Sequence, residues 1–291
     1  MHGYLRHLAN FARIVEAGSM KSASDALGIA PSGLSDSMKV LENRLGTALL
    51  IRHKTGVTPT TEGERVYRSA SAIVDLLGEA LGPEDQEELT GTCRISVPAE
   101  VASTCFGKAI GFLRQQHPKL NLKIFAEDDF VDHSRFARDY FLRVAAKLNK
   151  NEGLRTIWTG RANAILVANA ELVPEKDAED AKKIAQLPNL VGSERTPPFG
   201  YTLNNPKERI TFESAIGVSH PASQLSLAAQ GQGVTGCLDI CAHAHIRSGV
   251  LRQVLTNRFS IPLEMSLLTP HRRKAKSDDA LAEAMSCLTL A

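Results

Sequence analysis

The first 66 residues divide into short segments of helical periodicity separated by glycine and proline, and this division constrains the fold more than any other feature. Apolar residues recur every three or four positions in the first and third segments, at Leu5, Leu8, Phe11 and Val15 and at Leu34, Met38, Leu41 and Leu45. Between these segments, Ser19 is a suitable N-cap for a short helix that Gly28 would end. Pro31 suits the first turn of the next helix, and Gly46 would close it. The sequence therefore predicts three short helices with tight connections.

A small hairpin is predicted directly after the third helix. Leu49, Leu50 and Ile51 have the apolar character of a buried strand, residues 53–56 form a turn, and Val57 begins the returning strand. Three helices followed by a basic hairpin are the elements of a winged helix-turn-helix.

A fourth helix is predicted next, because Thr61 and Glu64 have the spacing of a capping box. Its apolar stripe consists of Val66, Ala70, Ile73, Val74 and Leu77. A lone helix with such a stripe must bury it, and we expect a second copy of the chain to cover it. Residues 84–88, which are mostly acidic, then form a solvated linker.

The pattern changes after Gly91 to alternating strands and helices. The predicted strands are residues 94–97, 120–125, 164–167, 216–218 and 234–238, and the predicted helices are residues 106–116, 223–230 and 239–248. Such alternation indicates a mostly parallel sheet with helices on its faces. About 200 residues are more than one such sheet needs, so two lobes are expected.

Composition excludes several classes of protein. The chain of 291 residues can form two domains with their own cores, and its net charge of +2 excludes a protein that coats nucleic acid through a global field. No apolar run approaches the roughly 18 residues of a membrane span, and the amino terminus lacks a secretory-signal pattern. Five cysteines in a chain this long indicate reduced thiols. We therefore expect a cytoplasmic protein without a membrane partner.

From Leu5 to Gly63 the chain resembles the DNA-binding domain of the LysR-type transcriptional regulators. The matching residues are Phe11, Ala17-Gly18-Ser19, Ala23, Ala26-Leu27, Ser32, Ser35, Leu41-Glu42, Leu45-Gly46, Arg52, Thr60 and Gly63. The resemblance continues through residues 91–95, 112–118, 139–144, 231–234 and 248–251.

This resemblance implies an α/β protein of three parts. They are a winged helix-turn-helix over residues 1–63, a linker and dimerisation helix over residues 64–90, and a regulatory domain over residues 91–291. The last part would be a two-lobed, periplasmic-binding-protein-like (type 2) domain that holds a small-molecule effector between its lobes. Such a regulator would bind double-stranded DNA at an inverted-repeat operator as a dimer or tetramer.

The third helix presents a polar face opposite its apolar stripe, and this face predicts the DNA contacts. Its residues are Ser32, Ser35, Asp36 and Lys39, to which the hairpin adds Arg52, His53 and Lys54. Small hydroxyl side chains let a helix sit deep in a major groove, and basic residues at a wing suit phosphate or minor-groove contacts. Asp36 departs from the basic or neutral polar residue usual in the family. It could accept from a cytosine amino group, or pair with Lys39 or Arg6.

Effector contacts are expected where strands end, since ligands of open α/β sheets bind at strand carboxyl ends. The candidates in these loops are Glu100, Ser103, Asp129, Ser219 and His220. Glu100 and Asp129 would favour an amine-bearing or cationic effector if both faced the cleft, and otherwise they are exposed loop acids.

An enzyme is not predicted, because the sequence has no glycine-rich phosphate loop, nucleophile elbow or HExxH pair. Cys237, Cys241, His243 and His245 could in principle bind zinc. However, two histidines two positions apart on a helix point about 200° apart, so no metal and no cofactor are expected. Two alternatives remain: an effector-independent repressor whose carboxy-terminal half serves only assembly, and a helix-turn-helix fused to a metal-dependent enzyme.

Overall fold

The structure is a computed structural model that describes residues 2–53, 56–81, 88–128, 139–146, 153–195, 198–270 and 275–288. These residues form two compact units, which we call the amino-terminal unit (residues 2–81) and the carboxy-terminal unit (residues 88–288). The predicted sites Lys54 and Asp129 lie outside the described residues.

The amino-terminal unit consists of four helices and a two-stranded hairpin. Its elements are α1 (His2–Ala17), α2 (Met20–Leu27), α3 (Pro31–Leu45), β1 (Leu50–His53), β2 (Gly56–Pro59) and α4 (Thr61–Leu81). The predicted helix ends are confirmed. Ser19 accepts a hydrogen bond from the Ser22 N–H, and Gly28 and Gly46 adopt the left-handed conformation that ends α2 and α3. Pro31 is the first residue of α3.

The core of this unit differs from the predicted stripes at three positions. Phe11, Ile14, Ala23, Leu34, Met38, Leu41 and Leu49 are buried together. Leu5 and Leu45, which the helical periodicity placed inside, are instead 41% and 42% exposed, and Ile51, predicted in a buried strand, is 47% exposed. Leu5 lies in the first turn of α1, and Leu45 is the last residue of α3. Ile51 faces away from the covered side of a two-stranded hairpin, since successive side chains of a strand point to opposite faces.

The start of α4 is also corrected. The cap is Thr60 rather than Thr61, because the Gly63 N–H donates to the Thr60 hydroxyl at 2.9 Å. Thr60 also donates to the Ala48 carbonyl at 2.8 Å, which ties the helix start to the chain before the hairpin. Val66 and Ala70 of the predicted self-association stripe pack into this unit's own core. Ile73 and Val74 follow half-buried, and the side chain of Leu77 lies outside the described residues.

In the carboxy-terminal unit, the described strands are β3 (Gly91–Val97), β4 (Leu120–Ala126), β5 (Tyr140–Ala145), β6 (Leu154–Asn169), β7 (Asn189–Val191), β8 (Gly200–Thr202), β9 (Arg209–Thr211), β10 (Ala215–Gly217), β11 (Val234–Leu238), β12 (Leu251–Val254) and β13 (Ile261–Pro270). Its helices are α5 (Ala99–Thr104), α6 (Gly107–Gln116), α7 (Ala181–Ala185), α8 (Pro221–Ala229), α9 (Asp239–Arg247) and α10 (Lys276–Ser286), with a 3₁₀ turn at Glu175–Asp177.

These strands form a nine-stranded sheet in the order β10-β7-β11-β6-β13-β5-β3-β4, with β12 also paired to β6. The sheet is mixed, which corrects the expectation of a mostly parallel sheet. Pairing is parallel at both ends, among β3, β4 and β5 and among β7, β10 and β11. In the centre β13 pairs antiparallel with β6 along residues 154–164, and the last part of β6 pairs antiparallel with β11 and β12. The predicted strand 164–167 is only the last part of β6.

The two parallel regions are the centres of two lobes, with β6 and β13 running from one to the other. The first lobe contains β3, β4 and β5 with α6 and α10, which pack against each other. The second lobe contains β7, β10 and β11 with α7, α8 and α9, and the separate hairpin β8–β9. None of the described helices is long and apolar enough to cross a bilayer.

Candidate DNA interface and effector site

The predicted DNA face of α3 is presented to solvent. Ser32, Asp36 and Lys39 are exposed and Ser35 is partly exposed, whereas Leu34 and Met38 on the opposite side are buried. The Lys39 ammonium lies 3.7 Å from the Asp36 carboxylate, and both side chains are about 70% exposed (72% and 73%). Asp36 is therefore paired with Lys39, one of the two partners considered for it. So exposed an ion pair contributes little to stability and leaves both groups able to meet DNA.

The hairpin carries the basic residues of the wing. Arg52 and His53 are exposed on β1, and the His53 Nε2 lies 3.0 Å from the Thr58 hydroxyl on β2. The hairpin is positioned from two sides. The Glu42 carboxylate of α3 accepts from the Leu49 N–H at 2.7 Å, and the Val57 N–H donates to the Gly18 carbonyl at 2.8 Å. The wing is thus fastened both to the end of α3 and to the turn between α1 and α2.

A small polar cluster beneath α3 was not predicted from the sequence. The Ser37 hydroxyl, buried on the inner side of α3, contacts the His7 Nδ1 at 2.7 Å and accepts from the Asn10 side chain at 3.0 Å. Hydrogen bonds of this kind orient one helix on another because buried polar groups need defined partners. His7 and Asn10 lie three residues apart on α1, and this spacing is the only sequence signal for the cluster.

In the carboxy-terminal unit, α5 contacts β4 and α6 and so belongs to the first lobe, and it also packs against α8 and α9 of the second lobe. Glu100 on α5 is buried there, and its carboxylate accepts from the Leu238 N–H at 3.1 Å, where β11 meets α9. Burial raises the pKa of Glu100 to about 7, and the nearby Asp128 carboxylate adds to the effect. The hydrogen bonds from Leu238 and from the Cys241 thiol act in the opposite direction. Glu100 therefore joins the lobes instead of standing as an exposed loop acid.

The other predicted effector residues lie around the same contact but are differently engaged. Ser103 is exposed, and its hydroxyl donates back to the Ala99 carbonyl at 2.8 Å. Ser219 is exposed and lies 3.3 Å from the Ser193 hydroxyl. His220 is the exposed N-cap residue of α8, whose side chain makes no capping bond.

Two further residues that contact the predicted ones or the start of α5 were missed. The Asp128 carboxylate accepts from the Ala99 N–H at 2.8 Å, at the start of α5. Asp128 stands beside the predicted Asp129 in the loop after β4, so the correct loop was identified but not this residue. Ser193 follows β7, a three-residue strand too short for the periodicity to reveal.

The four residues considered for zinc do not form a ligand set in the structure. Cys237 and Cys241 are buried, and burial raises the pKa of the Cys237 thiol. A hydrogen bond with Cys105, together with burial, holds the pKa of Cys241 well above its usual range. Within the described ranges, no three His, Cys, Asp or Glu side chains are grouped so that they could hold a metal ion.

Comparisons with known proteins agree with this architecture. Residues 5–64 match the family model of the bacterial regulatory helix-turn-helix protein, lysR family, and residues 86–285 match that of the LysR substrate binding domain. The HTH-type transcriptional regulator DmlR of Escherichia coli is 29% identical over 267 residues, which cover 86% of this chain and 83% of the relative.

Among solved structures, ArgP from Mycobacterium tuberculosis is similar with a TM-score of 0.61 and 24% identity over 96% of both chains. Full-length LysG from Corynebacterium glutamicum with bound effector Arg has a TM-score of 0.57 and 19% identity, over 98% of this chain and 97% of that one. Likeness at these identities concerns the fold.

Proposed function

The chain belongs to the LysR family of bacterial transcriptional regulators, and from this premise we propose that it binds an inverted-repeat operator as a dimer or tetramer. It is a DNA-binding regulator with an effector-binding domain. We propose that it has no catalytic role and that it is located in the cytoplasm. We also propose that residues 1–63 form the DNA-binding domain, residues 64–90 the linker and dimerisation helix, and residues 91–291 the regulatory domain.

The observation that carries the operator proposal is the two-sided character of α3. Its inner side is fastened by Leu34, Met38 and the Ser37 cluster, while Ser32, Ser35, Asp36 and Lys39 present small or flexible polar groups on its outer side. A rigid helix with a face of short polar side chains can enter a major groove, where base edges carry the sequence information. We assign Ser32, Ser35, Asp36 and Lys39 to this contact, and Arg52, His53 and Lys54 to the flanking phosphates or minor groove.

Self-association is proposed through the helix that follows the wing. Because Val66 and Ala70 already pack within their own unit, the part of the stripe left for a second copy begins at Ile73. Pairing there would present two copies of α3 to successive major grooves, about one helical turn of DNA apart.

The effector is proposed to act at the contact between α5 and the helices α8 and α9. Glu100, Ser103, Asp129, Ser219 and His220 remain the candidate residues. A ligand that binds one arrangement of the two lobes better than another shifts the regulator toward that arrangement, and so changes the DNA geometry it favours.

The test measures operator affinity as a function of salt, by fluorescence anisotropy on a duplex selected from random sequences. Arg52→Ala should lower the slope of log Kd against log salt concentration by about one, since one phosphate contact is lost. Ser35→Glu should weaken binding about tenfold or more, because it adds a carboxylate to the face that meets DNA.

Arg65→Ala is the matched control, since Arg65 is an exposed arginine of the same unit that pairs with Glu62 on α4. It should leave both affinity and slope unchanged. If Arg52→Ala and Ser35→Glu also left both unchanged, the assigned face would be wrong. A footprint that no metabolite alters would favour a repressor whose carboxy-terminal half serves only assembly.

A further inference from the structure

A cavity of about 590 Å³ opens beside the hairpin β8–β9 in the second lobe. It is lined by the aromatic residues Phe199, Tyr201 and Phe259, by Ile261, and by two arginines, Arg195 and Arg209. Of the residues predicted to contact an effector, the four that the structure describes (Glu100, Ser103, Ser219 and His220) do not line this cavity. Its volume falls within the range of about 300–1,000 Å³ typical of sites for small organic ligands.

Within the aromatic wall, Tyr201 is held in place by contacts with its neighbours. The Tyr201 ring meets Phe212 and Phe259 edge to face, with centroid distances of 6.0 and 5.4 Å. Its hydroxyl donates to the Asn189 side-chain oxygen at 3.3 Å, and burial raises the pKa of Tyr201, so the ring stays neutral at physiological pH. A wall anchored in this way is preorganised, which lowers the entropic cost of binding a flat ligand.

The two arginines supply positive charge that the protein leaves largely uncompensated. The Arg195 guanidinium lies over the Tyr201 ring, 5.8 Å from its centroid, and an Arg209 nitrogen is 3.5 Å from the Pro198 carbonyl. Neither forms an ion pair with a carboxylate in the described part of the chain, whereas Arg258 in the same lobe pairs with Glu208. One acidic side chain, Glu194, also borders the cavity, so the lining carries a net positive charge.

We propose that this cavity binds an organic anion with a flat apolar body, such as an aryl carboxylate. The ring of the ligand would lie against the aromatic wall, and its carboxylate would accept hydrogen bonds from Arg195 and Arg209, which suit carboxylate oxygens because of their planar fork of donors. This class is opposite in charge to the amine-bearing effector that Glu100 and Asp129 suggested. Binding of the anion does not depend on the proposed function. An effect of the bound anion on operator affinity would rest on it.

The experiment is isothermal titration of the full chain with 2-naphthoate, and with 2-naphthamide and 2-naphthylmethylamine as neutral and cationic analogues. We expect binding of the carboxylate only, weakened about tenfold or more in Arg195→Gln/Arg209→Gln, since each charge-assisted pair contributes strongly. Arg161→Gln removes one positive charge from an exposed position on β6 outside the cavity and should not alter the affinity.

Operator affinity without ligand is measured for every variant and should be unchanged, because the cavity lies in the carboxy-terminal unit. If the wild type bound no operator, the proposed function would be contradicted, but the anion site would not. The site itself is refuted if 2-naphthoate fails to bind at millimolar concentration, if the amide binds as well as the carboxylate, or if the double variant binds like the wild type.

Discussion

At the scale of single residues, burial decides what a charged group can do. Asp36 and Lys39 lie on the surface and remain free to exchange partners, since both side chains of their ion pair are mostly exposed. Glu100 on α5 is buried against the end of β11, where burial disfavours the ionised carboxylate. A carboxylate thus serves as a surface group at Asp36 and as a proton-sensitive contact between lobes at Glu100.

Replacing Glu100 with glutamine tests this assignment through the pH dependence of stability. The pKa of Glu100 is about 7 in the folded protein, above the ordinary value of 4.5, so the folded state prefers the protonated form. This preference is fully present below about pH 4.5 and is lost as the pH rises through 7. The wild type should therefore lose up to roughly 3 kcal/mol of unfolding free energy between pH 5 and 8 that Glu100→Gln retains.

Chemical denaturation of the carboxy-terminal unit at the two pH values measures the difference. Glu171→Gln, at an exposed position of the same unit, should keep the wild-type pH dependence. If the unfolding free energy changed equally between the two pH values in the wild type and in Glu100→Gln, Glu100 would not bind this proton.

At the scale of secondary-structure elements, the connection between the hairpin and α4 depends on close backbone approach. A Cβ atom added to Gly63 would lie 2.0 Å from the Leu49 carbonyl oxygen, so no larger residue fits without movement of the backbone. This glycine is also the residue whose N–H donates to the Thr60 cap. The start of α4 is therefore determined by contacts with the chain before β1.

Two glycine-to-alanine substitutions in helices should have effects of opposite sign. Gly63→Ala should destabilise the amino-terminal unit by about 1–3 kcal/mol because it forces a steric clash. Gly111→Ala in α6, where nothing lies within 4 Å of an added Cβ, should instead stabilise its unit by up to about 1 kcal/mol through higher helix propensity. Urea denaturation of both variants measures the two effects, and a stabilised Gly63→Ala would disprove the close approach.

At the scale of the whole molecule, the two units have separate cores. One core includes Leu34 and Met38, while the main core of the carboxy-terminal unit includes Leu142, Leu267 and residues of both lobes. Because neither core contains residues of the other unit, we expect each unit to unfold with its own free energy.

Large-to-small substitutions in each core test this independence. Met38→Ala and Leu142→Ala should each destabilise their own unit by about 2–5 kcal/mol, through lost burial and the cavity left behind. Amide hydrogen exchange followed by mass spectrometry reports both units in one experiment. Faster exchange should appear only in residues 2–81 for the first variant and only in the carboxy-terminal unit for the second. Loss of protection in both units from one substitution would show that they unfold together.

Features that depend on neighbours a few residues apart were predictable from the sequence. The cap at Ser19, the helix ends at Gly28 and Gly46, and strand β11 over residues 234–238 all agree with the structure. The cap and the helix ends follow from hydrogen bonds and backbone conformations within one or two turns, so the local sequence carries their whole signal. Strand β11 is indicated by its short apolar run, although its hydrogen bonds go to the distant strands β6 and β7.

Features that join distant segments were decided only by the tertiary structure. The bond from Leu238 to Glu100 spans 138 positions, and the cavity brings together residues near 195, 209 and 259. The mixed sheet likewise results from the antiparallel pairing of β6 with β13, two strands about 100 residues apart. Periodicity shows that a segment is a strand and which face is apolar, but not which strand will be its neighbour. That choice depends on the burial of all segments at once, because each pairing gains its free energy from surfaces that the others cover.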